Sequence, residues 1–296
     1  MKALVVGVNG LLGQNLLREA PAGVEISGCG LEERPLSPRL DPSAYFRLDV
    51  SDFDALERAV AGSGADVVFN AAAMTAVDAC ETERALCETL NRDAPAVMAR
   101  AAKRLVHLST DYVFDGENGP YSEEDAPNPL GVYGRVKLES ERAVLSASPD
   151  HLVVRTMLLY GAGTGLRPSF PDWVRSNLEA GRRIPVVEDQ VGNPTLASDL
   201  AASLWALVLA GKTGLWHCSG SERLSRLEWA RRVAARAGLD ASLIDPVRTA
   251  DLRQPARRPL GSGFRLDKIA GVPGVRLRSL DEQMETCFQE KANGRD

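Results

Sequence analysis

Leu4-Val5-Val6-Gly7-Val8-Asn9-Gly10-Leu11-Leu12-Gly13-Gln14-Asn15-Leu16-Leu17 is the stretch that decides the fold. A short apolar run ends in three glycines at three-residue spacing, Gly7, Gly10 and Gly13, and an amphipathic pattern follows at once. That order reads as strand, turn and helix. The turn needs backbone freedom, a diphosphate needs an open approach to the amides at the helix N-terminus, and Gly13 lets the helix pack close to the strand. A bare glycine triplet is a weak signal, and its place between strand and helix is what gives it meaning. The segment is therefore expected to bind a dinucleotide, with Asn9, Leu11 and Leu12 beside the glycines.

Working outward, further apolar runs fall at residues 24–27, 67–69, 105–108 and 152–154, with helical patterns at 11–18, 53–61, 94–103 and 132–145 between them. Continuous apolar strands alternating with helices predict an α/β chain, a Rossmann doubly wound parallel sheet covered on both faces. After about Arg155 glycine and proline become frequent, which predicts a smaller C-terminal substrate lobe. The expected division is 1–156, with returning segments at about 187–217, for the dinucleotide-binding domain, and about 157–186 and 218–290 for the lobe. Residues 291–296 read as a frayed end.

The 296 residues are 44% hydrophobic and 25% charged, with no run of about 18 apolar residues, so a soluble globular protein without a membrane span is expected. The net charge of −5 speaks against a nucleic-acid partner. No secretory signal is visible, and five scattered cysteines without a C-x-x-C pair fit a reducing cytoplasm.

Glu32 lies about 20 residues past the glycines, where a carboxylate accepts from the adenosine ribose 2′-hydroxyl, an arrangement that leans toward NAD(H). Arg34 and Arg39 keep NADP(H) open, since either could pair with a 2′-phosphate. Asp49-Val50 follows the third strand, where Asp49 either meets the adenine or, like Ser51, caps the next helix. Asn70-Ala71-Ala72-Ala73 closes an apolar strand with small side chains that leave room for the cofactor.

The chemistry falls to Tyr133 and Lys137, four residues apart and so on one helix face. A phenol of ordinary pKa about 10 is a poor acid-base group near neutrality, and a nearby ammonium would favour its ionised form. Ser109 and Thr110 end the preceding strand, with Thr110 placed to donate to a carbonyl oxygen that Tyr133 protonates. His107 and His151 read as core or surface residues rather than ligands, and His217 either packs or reaches the cleft. Asp78 and Glu81 read as helix caps. Arg253, Arg257 and Arg258 read as a solvated loop, although Trp173, Arg175, Arg257 and Arg258 are also candidates for facing a diphosphate.

GVNGLLG, NAAAMTAVDACE, STDYVFDG, PYSEEDAPNPLGVYGRVKLESE, VVEDQVGNPT and RRPLGSGFRLDK together resemble the extended short-chain dehydrogenase/reductases, and within them the dTDP-4-dehydrorhamnose reductase group. The resemblance runs from Met1 to about Met284. It implies NAD(P)H-dependent reduction of a nucleotide-linked 4-keto sugar, with Thr110, Tyr133 and Lys137 as the catalytic trio. It also implies cofactor contacts from Ser109, Tyr133 and Lys137, substrate contacts from Met74, Thr75, Asp111, Trp173 and Arg258, and a homodimer as one possible assembly. Departures stand at Met74 and Leu158, where members often carry an aromatic side chain or His and a Trp respectively. Asn15 aligns with a glutamate that helps hold magnesium between subunits in some members, so no metal is expected. GCGLEERP, STDYVFDG and GLWHCSGSE are also similar to the methionine adenosyltransferase β regulatory subunit, which implies a dinucleotide-binding regulatory alternative. A sugar epimerase of the same superfamily is a third.

Overall fold

The computed structural model describes residues 1–293. The first half alternates β1 (Lys2–Val6), α1 (Leu11–Arg18), β2 (Glu25–Gly30), β3 (Tyr45–Arg47), α2 (Phe53–Gly62) and β4 (Val67–Asn70). Helices α3 (Val77–Thr82), α4 (Arg84–Glu88) and α5 (Ala94–Ala101) lead to β5 (Leu105–Thr110), α6 (Val132–Ala147) and β6 (Leu152–Thr156). The second half holds β7 (Leu159–Tyr160), α7 (Phe170–Glu179), β8 (Ile184–Val187), β9 (Val191–Gly192), β10 (Thr195–Leu196), α8 (Ala197–Leu209) and β11 (Gly214–His217). Then follow β12 (Leu224–Ser225), α9 (Arg226–Ala237), β13 (Ile244–Val247), α10 (Asp267–Ala270) and α11 (Leu280–Asn293).

Seven strands form one parallel sheet in the order β11-β6-β5-β4-β1-β2-β3. The chain moves one way from β1 through β3 and the other way from β4 through β6, so the direction reverses between β1 and β4. Sheets of this kind bind ligands in the crevice outside the strand ends at that reversal. Here the turn at Gly7 and the loop after Asn70 meet at that point.

Alternation along the strands builds two cores. Ala3 and Val5 pack with Leu16, Leu200, Leu204 and Trp205 on one face, while Leu4 and Val6 pack with Leu56, Met98 and Val144 on the other. A third cluster, with Tyr160, Ile184, Trp229, Leu280 and Met284, fills the smaller body beyond β6. Removing a side chain as enclosed as Leu16 costs about 2–5 kcal/mol.

Two expectations shift. The helix foreseen at 94–103 stops at Ala101, because Ala102 is extended, and it is preceded by a wide turn at Thr89–Asp93 that continues from α4. Pro95 fits in the first turn of α5, where its missing N–H is no loss. The frayed end at 291–296 is corrected in part: α11 runs through Asn293, with Lys291 paired to Asp172 and Glu290 to Arg18. Residues 294–296 lie outside the described residues. Among the described residues, no helix is long and apolar enough to cross a membrane.

Candidate active site

The glycine turn is built by close approach. Gly7 has a φ of 80°, which L side chains rarely adopt, and a Cβ there would lie 2.7 Å from the Ala72 amide nitrogen. A Cβ on Gly13 would lie 2.4 Å from the Gly7 carbonyl oxygen. Gly10 caps α1 without a side chain, so no cap side chain takes up the first-turn amides of the helix. Asn9 is buried, and its amide donates to Glu32 Oε2 (2.9 Å) and the Arg34 carbonyl (3.1 Å) while its oxygen accepts from the Leu36 amide (2.8 Å). The Glu32 carboxylate is thereby held beside the turn. Glu33 pairs instead with Arg47 at 2.6 Å.

Asp49 accepts from the Ser51 amide and hydroxyl at 2.9 and 2.7 Å, and Val50 packs partly against the second core. The capping expected of Asp49 or Ser51 falls to Asp52, whose carboxylate accepts from the Ala55 amide, because Asp49 closes its own short turn first. Asn70 is buried with Oδ1 on the Ala72 amide (3.1 Å), while Ala71 and Ala72 are half-buried and Ala73 is exposed. A cavity of about 1180 Å³ opens beside α1, reaching from Leu11, Ser37 and Arg39 to Arg167, Arg175 and Lys291. Arg175, a diphosphate candidate from sequence, lines that cavity, whose walls include none of Thr110, Tyr133 and Lys137.

At the other end of the crevice, alternation along β5 points His107 and Ser109 at α6, where they meet Ser140 and Glu141. The strand stops at Thr110, whose hydroxyl accepts from the Tyr112 amide and donates to Asp111, both at 3.2 Å. Tyr133 sits in the first turn of α6, buried, with its ring 5.6 Å from that of Tyr112. Burial pushes its phenol up from the ordinary value; the nearby Thr110 hydroxyl pulls it back, and the Asp111 charge pushes it up again. The phenol thus keeps its proton. Lys137, one turn on, donates to the Leu108 carbonyl at 2.6 Å and lies 3.3 Å from His107 Nε2. Burial presses its amine down to about 8, against the charges of Glu141 and Cys87. Thr156, paired with Thr110 across the ladder, has a buried hydroxyl with no protein partner at this same edge.

An uncapped helix terminus, a positioned carboxylate and an orphan hydroxyl lie along one crevice. These residues fit a nicotinamide dinucleotide, with Gly7–Gly13 at its diphosphate and Tyr133 and Lys137 at its far end.

The edge is braced from beneath by contacts that no local pattern announces. Glu141 and Arg155 are both about 2% exposed and pair twice, at 2.8 and 2.6 Å, while Ser109 donates to the same carboxylate at 2.5 Å. Phe114 lies under the guanidinium at 5.0 Å. His217 is fully buried against Phe264 and Arg155, so it packs rather than reaching the cleft. Asn91 clamps the Met74 backbone from both sides at 2.9 Å, and the Met74 side chain packs into the cluster that holds Tyr133; Thr75 is exposed beside it.

Asp78 and Glu81 do not cap their own helix. Asp78 accepts from the Ala256 amide (3.0 Å) and pairs with Arg258 (2.8 Å), and Glu81 accepts from the Val132 amide (2.8 Å) at the bare N-terminus of α6. The reason is that α3 is a short helix whose acids face segments arriving from elsewhere in the chain. Arg253 and Arg257 are exposed, as a solvated loop requires, whereas the Arg258 side chain is only 10% exposed. Arg226, overlooked in the sequence, lies across Phe170 and Trp229 and faces Asp111, Tyr112 and Arg258. Burial lowers its affinity for the proton, with Tyr112 and Asp111 countering. Asp111 is buried, and burial raises its carboxyl against the hydrogen bond from Thr110. Trp173 is partly exposed and stacks on Phe170. Leu158 holds a φ of 47°, a strained choice for a side chain with a Cβ.

Among the described residues, no cluster of His, Cys, Asp and Glu could hold a metal ion. Asn15 is committed to the Leu11 and Ala162 carbonyls and to Arg18.

Relatives carry the same frame. The chain is 41% identical over 255 residues to a dTDP-4-dehydrorhamnose reductase of Mycobacterium tuberculosis, covering 83% of each chain. It is 33% identical to a Haloferax volcanii protein named "Probable low-salt glycan biosynthesis reductase Agl14", covering 98% of this chain and 99% of that one. The crystal structure of dTDP-4-dehydrorhamnose reductase from Bacillus anthracis in complex with NADP superposes with a TM-score of 0.83 at 26% identity, covering 98% and 99%. The family model described as RmlD substrate binding domain matches residues 1–293. With its parallel sheet, glycine turn and Thr110-Tyr133-Lys137 edge, the chain belongs to the RmlD substrate binding domain family, among the extended short-chain dehydrogenase/reductases.

Proposed function

We propose that this protein is an NAD(P)H-dependent reductase of a nucleotide-linked 4-keto sugar, with dTDP-4-dehydro-L-rhamnose to dTDP-L-rhamnose as the reaction the relatives' names favour. The observation that carries the reading is a buried, proton-holding phenol in the first turn of α6, next to the polar strand end at Thr110, at the edge of the dinucleotide crevice.

When bound, the reduced nicotinamide supplies a hydride. The chain's own groups do the rest. Thr110 orients the sugar carbonyl, and Tyr133 donates the proton that the new alkoxide oxygen needs, since an alkoxide is basic enough to take it even from a raised phenol. Lys137 grips the cofactor ribose. Arg258 and Arg226 face the diphosphate, with Met74, Thr75, Asp111 and Trp173 around the sugar and base. On the division at 1–156 with about 187–217 against about 157–186 with 218–290, the first part binds dinucleotide and the second substrate. Glu32, fixed by Asn9, supports NAD(H) through a ribose hydroxyl. Arg34 and Arg39 beside it, together with the NADP held by the Bacillus anthracis relative, support NADP(H). Five free, buried thiols accord with a cytoplasmic setting.

The test mixes the purified protein with NADH or NADPH and dTDP-4-dehydro-L-rhamnose and follows loss of nicotinamide absorbance. Tyr133→Phe should keep dinucleotide binding and lose about 10²-fold or more in turnover. Turnover unchanged in that variant contradicts the assignment of the proton donor. Dinucleotide binding with no turnover of any keto sugar would favour a regulatory role.

A further inference from the structure

Behind Lys137 lies a chain of buried groups that the reaction does not require: Asn70 on β4, His107 on β5 and Ser140 on α6, each no more than 2% exposed. Its hydrogens can be placed from its neighbours. The Ala72 amide donates to Asn70 Oδ1, so Asn70 Nδ2 is the atom that faces His107 Nδ1, at 3.1 Å. An amide nitrogen only donates, so Nδ1 must accept. Burial and the adjoining Lys137 charge keep the ring neutral. A neutral ring that accepts at Nδ1 carries its proton on Nε2. Ser140 Oγ, 2.9 Å from Nε2, receives that proton, because its own hydrogen goes to the Lys137 carbonyl at 2.7 Å.

The consequence falls on the amine of Lys137, 3.3 Å from the same Nε2. A nitrogen that bears hydrogen offers no lone pair to an ammonium. Of the three hydrogens of an ammonium at Lys137, the protein accepts one, at the Leu108 carbonyl. The other charged or titratable groups bearing on it are Glu141 on its own helix and Cys87 on α4.

We propose that His107 is a positioning residue for Lys137: locked by Asn70 in the Nε2–H tautomer, it denies the buried amine a second acceptor, so that dinucleotide binding draws a proton on to Lys137. The inference rests on the dinucleotide reading of this crevice. Ribose hydroxyls supply the acceptors that the ring withholds, and the ammonium forms when the ligand arrives. Burial of the amine, with a midpoint of about 8 in the free protein, puts the effect within reach of ordinary buffers.

Two measurements on the full chain test this. The first is the 15N spectrum of His107. The ring should show a protonated Nε2 and a bare Nδ1 without titrating between pH 5 and about 9, and Asn70→Asp, whose carboxylate must accept, should reverse the tautomer. An imidazolium, or a proton on Nδ1 in the unaltered protein, overturns the proposal. The second is calorimetric titration with NADPH or NADH at pH 8 in buffers of different ionisation heat. Binding should take up about half a proton, falling toward zero at pH 6.5 and in Asn70→Asp, where Nε2 is free to accept from an ammonium already present. Binding without proton uptake at pH 8 overturns it, as does loss of uptake in Asn70→Asp without tautomer reversal. Failure of either dinucleotide to bind at all would instead sink the dinucleotide reading, and the coupling with it, while the ring tautomer still decides whether Asn70 locks His107.

Discussion

Replacing Arg155 by Met strands the carboxylate of Glu141. Both partners are about 2% exposed, and the pair is bidentate, so water cannot replace what the guanidinium gave. Removing one member of such a buried pair costs about 3–5 kcal/mol. With an unfolding entropy of about 2.1 cal/mol/K per residue, a chain of 296 residues has about 0.6 kcal/mol/K in all, so Tm should fall by about 5–8 °C. The double variant Glu141→Met/Arg155→Met leaves the Ser109 hydroxyl without its acceptor, a loss of about 1–3 kcal/mol, and shares with Arg155→Met the lost contact to His217 Nε2. It should therefore be more stable than Arg155→Met alone. Urea denaturation of the four proteins measures the coupling directly. Single variants within about 1 kcal/mol of the parent, or a double variant that costs the sum of the two, would refute the claim that this pair braces the catalytic edge.

Gly13→Ala drives a Cβ into backbone at the Gly7 carbonyl and Val8, atoms that cannot swing aside; stability should drop by about 1–3 kcal/mol and dinucleotide affinity by 10-fold or more, read by urea melts and calorimetry. Lys137 is a base whose folded value is depressed, to about 8 from an unfolded value of about 10.4, so it destabilises fully below pH 8 and progressively less as pH climbs through 10.4. Between pH 7 and 9.5 the parent should therefore gain about 2 kcal/mol relative to Lys137→Met, and parallel stability curves would refute the depressed amine. Arg258→Ala and Arg226→Ala should each raise KM for the nucleotide-sugar by about 10-fold or more with dinucleotide Kd unchanged, as expected for a charge-assisted bond to phosphate.

What the sequence disclosed follows a physical line. Strands buried on both faces must be apolar throughout, and a diphosphate turn must be glycine-rich, so the sheet and Gly7–Gly13 are written locally. Tyr133 and Lys137 share a helix face by periodicity alone. Glu32 is likewise readable by spacing, although its partner Asn9 is not, because that bond spans a turn whose shape only folding sets. The contacts missed are those made across long sequence separations: Glu141 with Arg155, Asn91 with Met74, Asp78 with Arg258, and Glu81 with the start of α6. An acidic residue near a helix start looks like a cap in any sequence, and the real donor arrives 178 residues later for Asp78 and 51 later for Glu81. Arg226 opens α9 as an ordinary polar residue until Phe170, Trp229 and Asp111 surround it.

The most direct test of a reductase with Tyr133 as proton donor is product analysis with nicotinamide deuterated at C4 on either face. Incubated with dTDP-4-dehydro-L-rhamnose in ordinary water, one face should leave a single deuterium on the sugar's C4 while the new hydroxyl takes its proton from solvent through the phenol. A product free of deuterium from both faces, or no product at all alongside tight dinucleotide binding, would contradict the account.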